Sequence, residues 1–378
     1  MRTTCAWVLL GVLAGCGLGD EEYAVATRRD ALTEVSGFGS NPGGLSLFIH
    51  EPAGLGPGAP LVVALHGCTQ SAQAYVATGW STVADERGFL VAYPQTSGNA
   101  GCFEWFNAAQ QVRGGPQVTS ILQMVQHLVS TKGLDASRVY VTGASAGAAM
   151  TSILLATASD VFAAGAPLAG GAYGCATNQL EGLGCMSAPP NRTPMAWGDL
   201  VRAVAQGRPA PRVSLWHGTA DLTVAFANLE EQVEQWTDVA GIDATPDATA
   251  SVGSATHRRY TDALGVTRVE AWSFAGLGHA VPVDLASGCG TAAPYMADVG
   301  LCASRRIADF FGLTGNTSGD GGAGGGGGTA SDGGAGGGAG GGSMPPTGCG
   351  CSGIPFGALG LATLALLHRR RRALPLRR

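Results

Sequence analysis

The chain has 378 residues, 45% hydrophobic and 13% charged, enough to bury one large core. Its formal charge of −5 understates its acidity: Arg2 and six C-terminal arginines lie in end segments, leaving 15 basic against 27 acidic residues. That balance argues against a nucleic-acid partner.

Residues 1–16 read as an export signal, with Arg2 supplying the positive charge and residues 7–13 an apolar run. Leu13-Ala14-Gly15-Cys16 resembles a bacterial lipobox, which makes Cys16 a candidate for lipidation. An ordinary secretory signal cut at a nearby small residue is the alternative. Residues 17–42 then read as an extended tether and residues 43–313 as the globular domain.

Within that domain apolar runs at 60–65, 89–93, 138–142, 163–168, 213–217 and 267–274 are expected strands. Helical stretches at 71–86, 117–131, 146–158, 225–240 and 303–311 alternate with them. This alternation implies an α/β fold, with a mostly parallel central sheet and helices on both faces. A site is then expected at the carboxyl ends of the strands. No dinucleotide fingerprint, phosphate loop or internal repeat precedes residue 314, and no cofactor is implied.

Gly143-Ala144-Ser145-Ala146-Gly147 fits G-x-S-x-G between an expected strand and an expected helix, the context of a nucleophile elbow. A serine hydroxyl needs a base to take its proton and a third group to orient that base. On such a sheet the acid and the histidine follow the serine in that order. Asp221, just past the strand at 213–217, is the candidate acid; its alternative role is a helix N-cap. Asp199 and Asp284 are weaker candidates. Of seven histidines, His279 lies in a glycine-punctuated loop after a strand, where a triad base belongs. His66 and His217 precede glycines at strand ends and read as loop-shaping residues. His50 and His257 fall in segments resembling peripheral strands, His127 on a helix face and His368 in the basic tail. The oxyanion hole needs two backbone N–H groups. Ala146, after the nucleophile, and Cys68, in the loop after residues 60–65, are the candidates. Trp105, Phe106, Tyr173, Trp216 and Trp272 are candidate substrate walls, with core packing as their ordinary alternative.

The runs 65–70 (Leu-His-Gly-Cys-Thr-Gln), 88–94, 101–107, 138–150, 216–221 (Trp-His-Gly-Thr-Ala-Asp) and 278–279 resemble the poly(3-hydroxybutyrate) depolymerase family of esterases. The resemblance covers roughly residues 43–312. It implies an α/β-hydrolase fold with Ser145 as nucleophile, Asp221 as acid and His279 as base, acting on a hydroxyalkanoate ester. Feruloyl and acetylxylan esterases are close relatives, so a plant-polysaccharide ester is the alternative substrate. A peptidase, or a non-catalytic surface binding protein on a hydrolase scaffold, is the alternative of another class. Depolymerases of this kind often carry a separate polymer-binding domain. Here only a glycine tract follows, which favours soluble oligomers.

Six cysteines fall in the domain and permit 15 pairings. Pairing of near neighbours is expected: Cys68 with Cys102, Cys175 with Cys185 and Cys289 with Cys302. No C-x2-C pair occurs, so no metal site is expected. Residues 314–347 read as a glycine-rich flexible linker. Residues 348–378 hold a Cys-Gly-Cys motif, a short apolar stretch and an arginine cluster, and resemble a myxobacterial-type C-terminal sorting segment. A retained membrane tail is the alternative. The expected location is extracellular or at the cell surface, with the membrane as a partner through lipid or the C-terminal anchor.

Overall fold

Leu61–Leu65 (β3) and Val139–Ala144 (β5) are buried at every position. Their neighbours explain this. In the computed structural model, which describes residues 32–314, the two strands lie side by side in the middle of a ten-stranded sheet. The other strands of this sheet are Thr33–Val35 (β1), Ser46–His50 (β2), Leu90–Gln95 (β4), Ala164–Leu168 (β6), Arg212–Gly218 (β7), Ala248–Val252 (β8), Ala255–Thr261 (β9) and Thr267–Phe274 (β10). The spatial order is β1-β2-β4-β3-β5-β6-β7-β10-β9-β8. From β4 across to β10 the strands run parallel, and antiparallel pairs close both edges. A small second sheet pairs Val281–Val283 (β11) with Met296–Asp298 (β12).

The helices are Ala72–Tyr75 (α1), Trp80–Arg87 (α2), Pro116–Lys132 (α3), Ala146–Thr157 (α4), Gln179–Ser187 (α5), Pro194–Ala205 (α6), Ala227–Ala240 (α7) and Ala303–Phe311 (α8). Side chains alternate across a strand, so β3 feeds two cores. Leu61, Val63 and Leu65 pack with Ile121, Leu154 and Val233 from α3, α4 and α7. Val62 and Ala64 pack with Trp80, Val83 and Ile307 from α2 and α8. Three disulfides, Cys68–Cys102, Cys175–Cys185 and Cys289–Cys302, match the near-neighbour pairing.

Three expectations need correction. The tether expected over 17–42 ends sooner, because β1 pairs antiparallel with β2. The single helix expected over 71–86 is broken at Gly79. That residue has φ +87°, and a Cβ there would stand 2.7 Å from the Gly290 N and 2.9 Å from the Cys289 Sγ. The chain bends there to admit the disulfide-bonded loop. Helices α5 and α6 were not anticipated. The first carries Gly182 and Gly184, poor helix formers, and its packing against Trp105 and Phe106 compensates. The lipobox with Cys16, the glycine tract and the C-terminal sorting segment lie outside the described residues. Among the described residues, no helix is long and apolar enough to cross a membrane.

Candidate active site

Ser145 sits between β5 and α4 with φ 56° and ψ −118°. A side chain in that region is strained, and the surroundings must hold it there. Its N–H donates to the Leu168 carbonyl at 2.9 Å, tying the turn to β6. The flanking glycines answer to close packing. A Cβ on Gly143 would lie 2.5 Å from Gly147 backbone, and one on Gly147 would lie 2.2 Å from the Leu65 carbonyl. The turn is thereby pressed against the end of β3, and its serine opens into a cavity of about 170 Å³ shared with His279.

Asp221 follows β7 and is buried, although its neighbours in the turn are exposed. Its Oδ1 accepts from the N–H groups of Thr223 at 2.8 Å and Val224 at 2.9 Å. Its Oδ2 accepts from His279 Nδ1 at 2.7 Å. His217 Nε2 stands 3.5 Å from the same Oδ2 and donates to the Val224 carbonyl at 2.9 Å. Burial by itself raises the pKa of this carboxyl. Hydrogen bonds from His217, His279 and Val224, with the charge of His279, outweigh that and hold it well below the usual carboxylate range. With a carboxylate facing Nδ1, the proton of neutral His279 resides there, and Nε2 is the basic nitrogen. The two weaker candidates lie elsewhere: Asp199 pairs with exposed Arg202, and Asp284 caps Ser287.

The loop after β3 runs past Ser145. A Cβ on Gly67 would sit 3.4 Å from the Ser145 Cβ. Gly67 N–H donates to Gln70 Oε1 at 2.9 Å. Buried His66 holds the other end of the next peptide: Nδ1 donates to the Gly67 carbonyl at 2.8 Å, while Nε2 accepts from Thr96 N–H at 3.3 Å. Burial lowers the pKa of His66, which favours this neutral form. The Gly67 carbonyl and the Cys68 N–H share one planar peptide, so fixing the first aims the second. The disulfide to Cys102 adds a covalent tether. Ala146 N–H opens α4 and is among the first-turn amides with no partner inside the helix. Cys68 and Ala146 both line a second cavity of about 40 Å³ that meets the first at Ser145.

Of the expected walls, Trp105 lines the smaller cavity. Phe106 lines neither; it packs edge-on to Trp105, at 5.7 Å between ring centroids, and braces it. Tyr173 is buried in the core, where its hydroxyl donates to the Gln111 carbonyl at 2.7 Å. Trp216 and Trp272 stack on one another within the sheet, their indole N–H groups taken by Ser214 and Glu270. None of these three aromatics lines either cavity: Trp216 and Trp272 are packed within the sheet, and Tyr173 in the core beside it. Residues not anticipated at the site are Gln70, Tyr295 and Met296 in the larger cavity and Asn228 in the smaller. Gln70 carried a local signal, lying three residues past a turn glycine. The others reach the site only through tertiary contacts.

The sequence model of the family described as esterase PHB depolymerase matches residues 45–258. Poly(3-hydroxyalkanoate) depolymerase C of Paucimonas lemoignei is 50% identical over 293 residues, covering 75% of this chain and 71% of that one. Feruloyl esterase B of Talaromyces stipitatus is 34% identical over 296 residues, covering 75% and 76%. Among solved structures, acetyl xylan esterase from Aspergillus awamori superposes with a TM-score of 0.64 at 26% identity, covering 75% of this chain and all of the other. The sheet order and these likenesses define an α/β-hydrolase fold.

Proposed function

This chain belongs to the PHB depolymerase family of esterases and is a carboxylic ester hydrolase, and from that premise we propose that Ser145, His279 and Asp221 are its catalytic triad. The observation that carries the proposal is the 2.7 Å bond from His279 to a buried Asp221, with His279 and the strained Ser145 lining one cavity. Ser145 Oγ attacks the ester carbonyl carbon while His279 Nε2 takes the hydroxyl proton. Asp221 holds the imidazole and balances the charge it gains. The carbonyl oxygen, now negative, is received by the N–H groups of Cys68 and Ala146. The carbon–oxygen bond of the ester breaks, and the departing alcohol takes the proton from His279. Water then attacks the acyl-enzyme by the same route, releasing the acid and restoring Ser145.

The natural substrate we infer is a hydroxyalkanoate ester. The 50% identity to a poly(3-hydroxyalkanoate) depolymerase supports it. So do exposed Leu180, Leu183 and Leu222, apolar residues on the segments that bring Met186 and Thr223 to the two cavities. Similarity to a feruloyl esterase supports a polysaccharide-linked ester as the second reading. Hydrolysis of 3-hydroxybutyrate oligomers, methyl ferulate and acetylated xylan by the secreted protein separates the two. Ser145→Ala serves as the blank and should lose about four or more orders of magnitude in turnover. Activity retained in that variant would overturn the triad.

Export completes this reading, since three disulfides suit an oxidising compartment. Attachment through a lipid on Cys16 or through the C-terminal segment is the finer proposal. Mass spectrometry of the mature protein from its own cells, with its partition between medium and membrane, tests it: a protein without lipid on Cys16 that is recovered wholly in the medium would rule out both anchors.

A further inference from the structure

Asn228 is fully buried and lines the smaller cavity beside Ser145. Its amide is oriented without ambiguity. The Nδ2 donates to the carbonyls of Cys185 at 3.0 Å and Ala225 at 3.1 Å, groups that can only accept. Oδ1 therefore faces the other way. The Cys185 Sγ lies 3.7 Å from it, but that sulfur is bonded to Cys175 and has no hydrogen to give. Gly171, also lining the cavity, keeps space open beside this oxygen, since a Cβ there would stand 3.1 Å from Oδ1. One turn along α7, the buried Gln232 Oε1 likewise has no donor among the described residues. A buried acceptor left without a donor is destabilising, so the cavity is built to receive a group that brings one.

The two cavities divide the ester between them. The departing alcohol takes its proton from His279, which lines the larger cavity and not the smaller. Cys68 lines both cavities, whereas Ala146, the other oxyanion donor, lines only the smaller, so the acyl side falls there. A volume of about 40 Å³ admits about three or four water-sized groups. That matches the methylene, hydroxyl-bearing carbon and methyl of a single 3-hydroxybutyryl unit.

Resting on the Ser145 reading, we propose that Asn228 Oδ1 accepts a hydrogen bond from the free 3-hydroxyl of the acyl unit, so that the enzyme removes one hydroxyacyl unit at a time from the hydroxyl end of an oligomer. An interior unit cannot bind in this way, because its 3-oxygen is esterified and carries no hydrogen.

The test compares kcat/KM of the secreted protein for the p-nitrophenyl esters of 3-hydroxybutyrate, butyrate and 3-methoxybutyrate. The hydroxy ester should exceed butyrate by about ten- to a hundredfold, the cost of an unpaired buried acceptor, and exceed the methoxy ester by more. Asn228→Ala should bring the hydroxy-to-butyrate ratio close to one. If that variant does not fold, the wild-type ratios still decide. A 3-hydroxybutyrate trimer with its hydroxyl end methylated should be cleaved at least about tenfold more slowly than the free trimer. Equal rates for hydroxybutyrate and butyrate esters, or for capped and free trimers, would overturn the proposal while leaving the triad intact. No hydrolysis of any ester above the Ser145→Ala blank would overturn the triad and this proposal with it.

Discussion

Gly218 and Leu277 approach so closely that a Cβ on the glycine would stand 2.2 Å from the Leu277 carbonyl oxygen. Gly218 ends β7 and leads into the turn of Asp221, while Leu277 lies two residues before His279. Ala220 N–H also donates to the Leu277 carbonyl, at 3.0 Å. Asp221 and His279, the proposed acid and base, therefore sit on two loops whose spacing is set where backbone meets backbone. Gly218→Ala should push the loops apart and lengthen the bond from His279 to Asp221. A shift of about 1 Å at such a pair costs about two orders of magnitude in kcat. Ester turnover by the folded variant checks this; wild-type kcat would show that the contact does not set the spacing.

Asp221→Asn should lower kcat by about four orders of magnitude, because an amide facing His279 favours the wrong imidazole tautomer. A second readout follows from the charge. The folded-state pKa of Asp221 lies below its unfolded value, so the stability this carboxylate contributes is fully present above the ordinary pKa of about 4. It is lost as pH falls through the depressed folded value. The difference in Tm between wild type and Asp221→Asn should hold steady from about pH 5 to pH 4 and narrow at lower pH. A difference that already vanishes by pH 5 would contradict the depressed pKa.

Replacing both Cys68 and Cys102 by serine should act on stability and chemistry together. The bridge closes a 34-residue separation, for which the chain-entropy argument gives about 3–4 kcal/mol. It also tethers Cys68, whose N–H is the proposed oxyanion donor. The loss should therefore fall mainly on kcat and little on KM, since that contact strengthens in the transition state. Denaturant titration and steady-state kinetics measure the two effects. A less stable variant with wild-type kcat would show that His66 and Gln70 suffice to hold the loop.

The parts of the site fixed by local rules were legible in the sequence. Ser145 stands between a strand and a helix with glycines whose absent side chains the packing requires. The central strands announced themselves as unbroken apolar runs, since both faces are covered. Edge strands such as β8 are mostly exposed and carry no such run. Tyr173, Trp216 and Trp272 stood open between wall and core, because a large aromatic reads alike in both. Asn228 was invisible for another reason. Its meaning depends on Cys185 and Gly171, brought to it by α5 and by the loop after β6.

His217 read as a loop-shaping residue, and its contacts give that role a consequence. Its Nε2 donates to the Val224 carbonyl at 2.9 Å and stands 3.5 Å from Asp221 Oδ2, so it closes the turn that carries the acid. Its Nδ1 is buried without a partner among the described residues, a cost the fold bears to place the other nitrogen there. His217→Ala removes the donor, leaves the Val224 carbonyl unpaired and opens a cavity against Phe226. The loss of stability should be about 2–4 kcal/mol. Turnover should fall with KM little changed, since His217 lines neither cavity. His217→Gln places an amide donor near the position of Nε2 and should recover part of the turnover. If alanine and glutamine variants of equal stability turn over alike, the histidine contributes packing alone and does not position Asp221.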